Sequence, residues 1–127
     1  MHPLLIEGAA KSPTVNLNPD TGNLEIRGRS IPENTIEFYK PVFAWLEEYS
    51  AKPKSATSVT IQLDYFNTSS AKILADLFKR LQALHVSRLS AVDVIWEYQA
   101  EDDDMQEAGE DYKSILKMPF KTQETSK

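Results

Sequence analysis

Two strand-like segments with a helix-like stretch between them constrain the fold of this chain more than any other feature. The segments SVTIQLDY (58–65) and AVDVIWEY (91–98) alternate in polarity and are rich in β-branched and aromatic residues, as half-buried strands are. The stretch between them carries apolar residues at three- and four-residue spacing: Ile73, Leu74, Leu77, Phe78, Leu81 and Leu84. This order predicts a βαβ unit with parallel strands and a right-handed crossover.

A hairpin is predicted ahead of this unit. Apolar residues alternate in two short runs, and they are Val15, Leu17, Leu24 and Ile26. The segment between the runs, 18–22, contains Asn, Pro, Asp and Gly, the residues that most often form turns.

A helix is predicted after the hairpin and runs to about Tyr49. Ser30 followed by Glu33 matches a capping box, and Pro32 suits a first helical turn. The apolar stripe of this helix consists of Phe38, Val42, Trp45, Leu46 and Tyr49. Pro41 removes one helical hydrogen bond, so we expect a kink there or a second helix that starts near Lys40.

A third helix and a final strand are predicted after residue 98. Asp102 or Asp103 is expected to cap the helix, because acidic residues in a first turn favour it through the helix dipole. Its apolar positions are Met105, Ala108, Tyr112 and Ile115. The segment KMPFKT (117–122) is expected to return to the sheet, and Pro119 confines it to an edge.

These elements predict the fold class α/β: a small single domain, residues 1–127, with one mixed β-sheet and helices packed mainly on one side. A chain of 127 residues with 41% hydrophobic residues can bury roughly two thirds of its unfolded surface. Residues 1–12 and 123–127 are expected to be loose termini. The apolar triplet near the start is too short for a signal peptide, which predicts a soluble, cytoplasmic protein without membrane insertion.

Composition excludes several classes of function. The sequence has no Cys and only two His, so it offers no thiol nucleophile, no thiolate metal site and little imidazole chemistry. Residues 97–111 carry eight carboxylates and no Lys or Arg. Because that segment would repel phosphates and no basic stripe compensates for it, we expect no nucleic-acid partner.

The acidic segment leaves one enzymatic alternative open. Four carboxylates, those of Asp102, Asp103, Asp104 and Glu107, could hold a divalent metal ion. The segment does not match a calcium-binding loop, which requires a glycine at its sixth position. A solvated helix face or a recognition surface is the simpler interpretation, and no cofactor or metal is expected.

Four small polar residues, Asn67, Thr68, Ser69 and Ser70, stand where the first predicted strand of the βαβ unit passes into its helix. One of the first two is expected to cap the helix by accepting a hydrogen bond from its unpaired N–H groups. The same unpaired groups favour a phosphate, so a hydroxyl there is also a reasonable phosphoacceptor. Lys72 lies one helical turn beyond Thr68 and could pair with the added charge. From the residues alone, capping is favoured over phosphorylation.

Four longer phrases carry a family resemblance: NPDTGNLEIRGRSIPEN, FYKPVFAWLEEY, LDYFNTSSAK and DDDMQEAGEDY. Through them the chain resembles, from Thr14 to Thr122, the SiaC family of bacterial regulatory phosphoproteins. The resemblance implies a fold like the STAS domains of anti-sigma-factor antagonists, although the Asp-Ser-Ser-Gly typical of those domains is replaced here by residues 67–70. It also implies that Thr68 is the phosphoacceptor.

The resemblance implies partners as well. They are a SiaB-like Ser/Thr kinase, a PP2C-type, SiaA-like phosphatase and a SiaD-like diguanylate cyclase that the unphosphorylated form activates. The expected function is therefore a non-catalytic switch in cyclic-di-GMP signalling and biofilm formation, with a constitutive adaptor as the alternative. The residues expected to contact partners around Thr68 are Tyr65, Phe66, Asn67, Ser69, Ser70 and Lys72.

Overall fold

The computed structural model describes residues 1–125 as six strands and three helices. In chain order they are β1 (Leu4–Ile6), β2 (Thr14–Asn18), β3 (Asn23–Ser30), α1 (Thr35–Ala51), β4 (Ala56–Phe66), α2 (Thr68–Val86), β5 (Ala91–Gln99), α3 (Asp103–Ile115) and β6 (Phe120–Thr125). None of the helices in this described part is long and apolar enough to cross a membrane.

All six strands form one mixed sheet in which spatial order equals chain order, β1-β2-β3-β4-β5-β6. β1, β2 and β3 pair antiparallel, and β3 to β6 pair parallel. Each parallel connection moves one strand in the same direction. Because such crossovers are right-handed in nearly all proteins, the three helices fall on the same face. The predicted α/β class, the hairpin and the βαβ unit are confirmed.

The two faces of the sheet differ in polarity. On the helix side, alternate residues of the central strands are buried: Leu24, Ile26, Val59, Ile61, Leu63, Val94 and Trp96. On the other side, the alternate residues are polar and partly exposed, as with Glu25, Thr60 and Gln62. The core therefore lies between one sheet face and the helices, as the alternation predicts.

The start of α1 differs from the prediction. Asn34 is the N-cap, and its side chain accepts a hydrogen bond from the N–H of Glu37. Ser30 ends β3 and is fully buried, so it does not begin a capping box with Glu33. The helix runs as one element through Pro41. Of the two alternatives predicted there, a second helix that starts near Lys40 is therefore wrong.

The other two helices follow the prediction more closely. The apolar stripe of α2 is buried except for Ile73, which is half-buried. Asp102 caps α3. Ile115, however, is 65% exposed, and Gly109 faces the sheet instead, where a Cβ would overlap Trp96. The lack of a side chain at this position lets α3 approach the sheet closely.

Both predicted loose termini contain strands. Residues 4–6 pair with β2 through Leu4↔Leu17 and Ile6↔Val15. β6 continues past Thr122 to Thr125 in register with β5. Residues 126–127, which also belong to the predicted C-terminal tail, lie outside the described residues.

Candidate functional site

Three helices begin at one edge of the sheet. β3, β4 and β5 are parallel, and each is followed by a helix, so their carboxyl ends and the helix N-termini meet at what we name the carboxyl edge. The caps Asn34, Asn67 and Asp102 each accept a backbone N–H in the first turn, at 3.1, 2.9 and 3.1 Å. The predicted site residues 65–72 lie at this edge.

Asn67, and not Thr68, is the N-cap of α2. Its Oδ1 accepts hydrogen bonds from the N–H of Ser70 at 2.9 Å and from Ser69 Oγ at 3.2 Å. Its own N–H donates to the carbonyl of Ser30 at 3.2 Å. With these bonds, Asn67 serves the helix start and the junction with β3, and Thr68 is not needed as a cap.

Ser70 is a buried structural residue. Its side chain is 0% exposed, and its Oγ donates to the carbonyl of Ser30 at 2.8 Å and lies 2.8 Å from Ser30 Oγ. Ser30 Oγ in turn lies 2.7 Å from Tyr39 Oη. Burial raises the pKa of Tyr39 to about 12. Ser70 is therefore not available to a partner, and its assignment to the partner-binding surface is corrected.

Ser69 is exposed but its hydroxyl is engaged. Its Oγ lies 2.7 Å from Oγ1 of Thr35, the first residue of α1. This bond joins the first turns of two helices that are separated along the chain by the whole of β4.

Thr68 is the first residue of α2 and is exposed to solvent. Within residues 1–125 no hydrogen bond engages its hydroxyl, in contrast to Asn67, Ser69 and Ser70. An exposed, unengaged hydroxyl at a helix N-terminus can react with an external phosphoryl donor without any change in the fold.

The remaining predicted contact residues are placed around Thr68 by an irregularity in the sheet. The register between β3 and β4 shifts after Gly28, so that Phe66 rather than Tyr65 continues the buried alternation. Phe66 is half-buried, with its ring centroid 5.9 Å from that of Trp96. Tyr65 is 54% exposed. Lys72 is also exposed, and in the described part of the chain only Arg27 forms ion pairs.

The acidic segment does not assemble a metal centre among residues 1–125. No three carboxylates or imidazoles gather there closely enough to hold a metal ion. The carboxylate of Asp102 is engaged as a cap, and Glu110 accepts a hydrogen bond from Thr122 at 2.6 Å. The helix α3 therefore presents its acids on a surface and does not focus them on one point.

The uncovered face of the sheet carries a polar recess beside the carboxyl edge, and its side chains are paired with one another. Arg27 Nη1 donates to Glu97 Oε1 at 2.9 Å, while Asp64 Oδ1 accepts from the amides of Gln62 at 3.0 Å and Gln99 at 3.2 Å.

Sequence reasoning missed Ser30, Thr35 and Tyr39 as neighbours of the site. They reach it from β3 and α1, far along the chain from α2. The one available signal is the small polar Ser30 at the end of a strand pattern, and the same pattern also matches a helix cap.

Comparison with known proteins supports the resemblance. A model of the SiaC family regulatory phosphoproteins matches residues 6–125. The solved structure of SiaC of Pseudomonas aeruginosa is 27% identical, with a TM-score of 0.89 over 98% of this chain and 100% of that chain. The complex of the diguanylate cyclase SiaD with its activator SiaC, also from Pseudomonas aeruginosa, is similar at 28% identity and a TM-score of 0.90, over 96% of this chain and 99% of that chain.

A curated relative adds no further function. An uncharacterized protein of Pseudomonas aeruginosa strain UCBPP-PA14 is 28% identical over 123 residues, which are 97% of each chain. The match of fold and family model extends over nearly the whole described chain, while the likeness to STAS domains stays a prediction.

Proposed function

This chain belongs to the SiaC family of regulatory phosphoproteins, and on that premise we propose that it is a non-catalytic switch in which phosphorylation of Thr68 controls a diguanylate cyclase. The unphosphorylated form binds and activates the cyclase, and the phosphorylated form does not. Through the cyclase the switch acts on cyclic-di-GMP signalling and hence on biofilm formation. The observation that carries the proposal is the exposed Thr68 hydroxyl, which no other residue in the described chain engages.

A relative supports the choice of partner. The similar SiaC of Pseudomonas aeruginosa is the activator of SiaD in the solved complex. A SiaB-like kinase and a PP2C-type, SiaA-like phosphatase complete the proposed cycle, and both need an acceptor that they can reach from solvent. The exposure of Thr68 meets this requirement for phosphorylation and for dephosphorylation.

The electrostatics of the carboxyl edge oppose binding after phosphorylation. From residue 62 to residue 71 the only ionisable side chains are those of Asp64 and Tyr65, so the segment around Thr68 itself carries little charge. A phosphate adds about −1.5 to −2 charge. Burying that charge against a partner without an arginine cluster requires its desolvation, which is strongly unfavourable.

Lys72 does not offset this effect. It lies one turn beyond Thr68 and is exposed, and exposed ion pairs contribute about 0–1 kcal/mol. The carboxylates of α3 act against Lys72, because they repel a phosphate. Loss of roughly 3 kcal/mol of binding free energy weakens an association by more than a hundredfold, so one phosphate suffices without refolding.

The test compares charge at constant shape. Thr68→Asp and Thr68→Asn differ in charge but hardly in size, so the amide variant is the matched control. We expect Thr68→Asn and Thr68→Ala to bind and activate the cognate cyclase like the unphosphorylated protein. Thr68→Asp should bind at least tenfold more weakly, and the enzymatically phosphorylated protein should lose over a hundredfold. Calorimetry and cyclic-di-GMP production are the measurements.

Equal affinities of Thr68→Asp and Thr68→Asn for the cyclase would falsify the electrostatic switch. The constitutive adaptor makes a different prediction, because protein isolated from its native cells would never carry the phosphate adduct of about 80 Da. Intact-mass analysis of that protein separates the adaptor from the switch.

A further inference from the structure

Exposure does not explain why one hydroxyl at the start of α2 should be chosen over its neighbour. Ser70 is buried and is excluded for that reason. Thr68 and Ser69 are both exposed, and they are adjacent along the chain. What separates them is hydrogen bonding, since the Ser69 hydroxyl has two partners and no described residue engages the Thr68 hydroxyl.

The direction of the two Ser69 bonds follows from their chemistry. Ser69 has one hydroxyl proton, and it donates this proton to Asn67 Oδ1 at 3.2 Å. The contact of 2.7 Å with Thr35 Oγ1 therefore has Thr35 as donor and Ser69 as acceptor. Thr35 is 7% exposed, so its hydroxyl has little access to water as an alternative partner. Both the proton and a lone pair of Ser69 are thus committed within the protein.

Phosphoryl transfer uses both the proton and the lone pairs of the accepting hydroxyl. The hydroxyl oxygen attacks the γ-phosphorus of a nucleoside triphosphate, and an O–P bond forms as the bond from that phosphorus to the β,γ-bridging oxygen breaks. The nucleoside diphosphate leaves, and the hydroxyl proton passes to a base of the kinase. Ser69 must first withdraw its proton from Asn67, and its oxygen is a weaker nucleophile while one of its two lone pairs accepts the bond from Thr35. Thr68 has neither constraint.

We infer that Thr35 is a specificity-determining residue, which directs the kinase to Thr68 by holding the hydroxyl of Ser69. The inference rests on the proposed function and deepens it, because it assigns a residue of α1 to the choice of acceptor on α2. Thr35 acts through Ser69 and does not itself react.

The experiment removes the preferred acceptor and then releases the second one. Thr68→Ala and Thr68→Ala with Thr35→Val are incubated with the cognate kinase and ATP, and phosphate is mapped by fragmentation mass spectrometry. Valine has the shape of threonine without the hydroxyl. We expect Ser69 to be modified in Thr68→Ala at least tenfold more slowly than Thr68 in the wild type, and about fivefold faster once Thr35→Val is added, as for one neutral hydrogen bond.

A conservative variant separates hydrogen bonding from packing. Thr68→Ala with Thr35→Ser keeps the hydroxyl, and it should keep Ser69 as slow as in Thr68→Ala. If the valine variant folds poorly, Thr35→Ala serves as the second release variant, and in Thr35→Ala alone the ratio of Ser69 to Thr68 phosphate gives the same comparison.

Two negative outcomes are distinguishable. If Thr68 accepts phosphate in the wild type but Ser69 reacts at the same rate with valine, alanine, serine or threonine at position 35, the inference is overturned and the proposed switch stands. If Thr68 accepts no phosphate in the wild type, the proposed function fails and the inference fails with it.

Discussion

The two ends of the sheet contain similar chains of buried hydroxyls but differ in what they expose. At the carboxyl edge, Ser30 joins Tyr39 and Ser70. At the opposite end, which we name the amino edge, Thr57 Oγ1 near the start of β4 lies 2.8 Å from Tyr49 Oη and 2.6 Å from Ser90 Oγ. At the carboxyl edge the row of hydroxyls connects the end of β3 with the early turns of α1 and α2. At the amino edge it connects the end of α1 with the starts of β4 and β5.

The difference is that the carboxyl edge has further hydroxyls outside its buried row. All three hydroxyls of the chain at the amino edge are buried and paired. The carboxyl edge has the same kind of buried chain and, outside it, Ser69 and the unengaged Thr68. A polar group that the fold uses must stay where it is, while one that the fold does not use can be modified. The comparison therefore separates structural hydroxyls from the one available for regulation.

The largest expected effect comes from placing the same charge at both ends. Thr57 is 1% exposed, so Thr57→Asp buries a carboxylate among groups that cannot neutralise it and should reduce the free energy of unfolding by about 4 kcal/mol or more. Thr68→Asp should change it by less than about 0.5 kcal/mol. Urea unfolding followed by circular dichroism measures both, and similar midpoints for the two variants would contradict the comparison.

Alkaline pH should weaken the carboxyl edge. Burial raises the pKa of Tyr39 from 10.0 to about 12, and burial also raises the pKa of Tyr112, which donates to the carbonyl of Ala71 in the first turns of α2, to about 12. The folded state therefore holds these protons more tightly than the unfolded state. Their stabilisation is complete below pH 10.0 and is lost as the pH rises toward 12.

The Tyr39 contribution is about 3 kcal/mol, because the pKa rises by about two units and each unit is worth roughly 1.4 kcal/mol. Tyr39→Phe should therefore flatten the fall in stability across this pH range, while its stability at pH 7 reports the lost bond to Ser30 separately. Urea midpoints measured at intervals from pH 7 to the alkaline limit test this. If stability falls with pH as steeply in Tyr39→Phe as in the wild type, Tyr39 is not responsible for the fall.

The smallest expected effects distinguish neighbours at the helix start. Asn67→Ala removes the cap of α2 and should lower the free energy of unfolding by about 1 kcal/mol. Thr68→Ala removes a hydroxyl that the described structure does not use, and the change should be below about 0.5 kcal/mol. Urea unfolding of the two variants side by side makes the comparison. Greater destabilisation by Thr68→Ala would mean that its hydroxyl supports the fold.

Much of the fold could be predicted because its signals are local. The alternation in 58–65 and 91–98 and the stripe between them depend only on neighbouring residues, and the structure has both strands and α2 where the pattern predicts them. The N-terminal edge strand β1 was missed because a short strand is stabilised mainly by the strand beside it. β1 exists because residues 15–17 offer it a partner, which no property of the first residues indicates.

The candidate site was predictable in position but not in detail. A strand that passes into a helix marks the place, and the family resemblance names Thr68. Ser30 shows the limit, since its pattern matches a cap while its hydroxyl is taken by Ser70 and Tyr39. Which hydroxyls are engaged depends on contacts between distant segments, and those are visible only in the structure.

The strand order of the sheet also has a consequence for synthesis. Each strand lies beside the strand that precedes it in the chain, so a chain leaving the ribosome can add every new strand to an edge that already exists. No early segment has to wait, with its apolar surface uncovered, for a late one to be inserted between it and its neighbour. The nascent protein can therefore assemble as a growing sheet, which limits its exposure to aggregation before release.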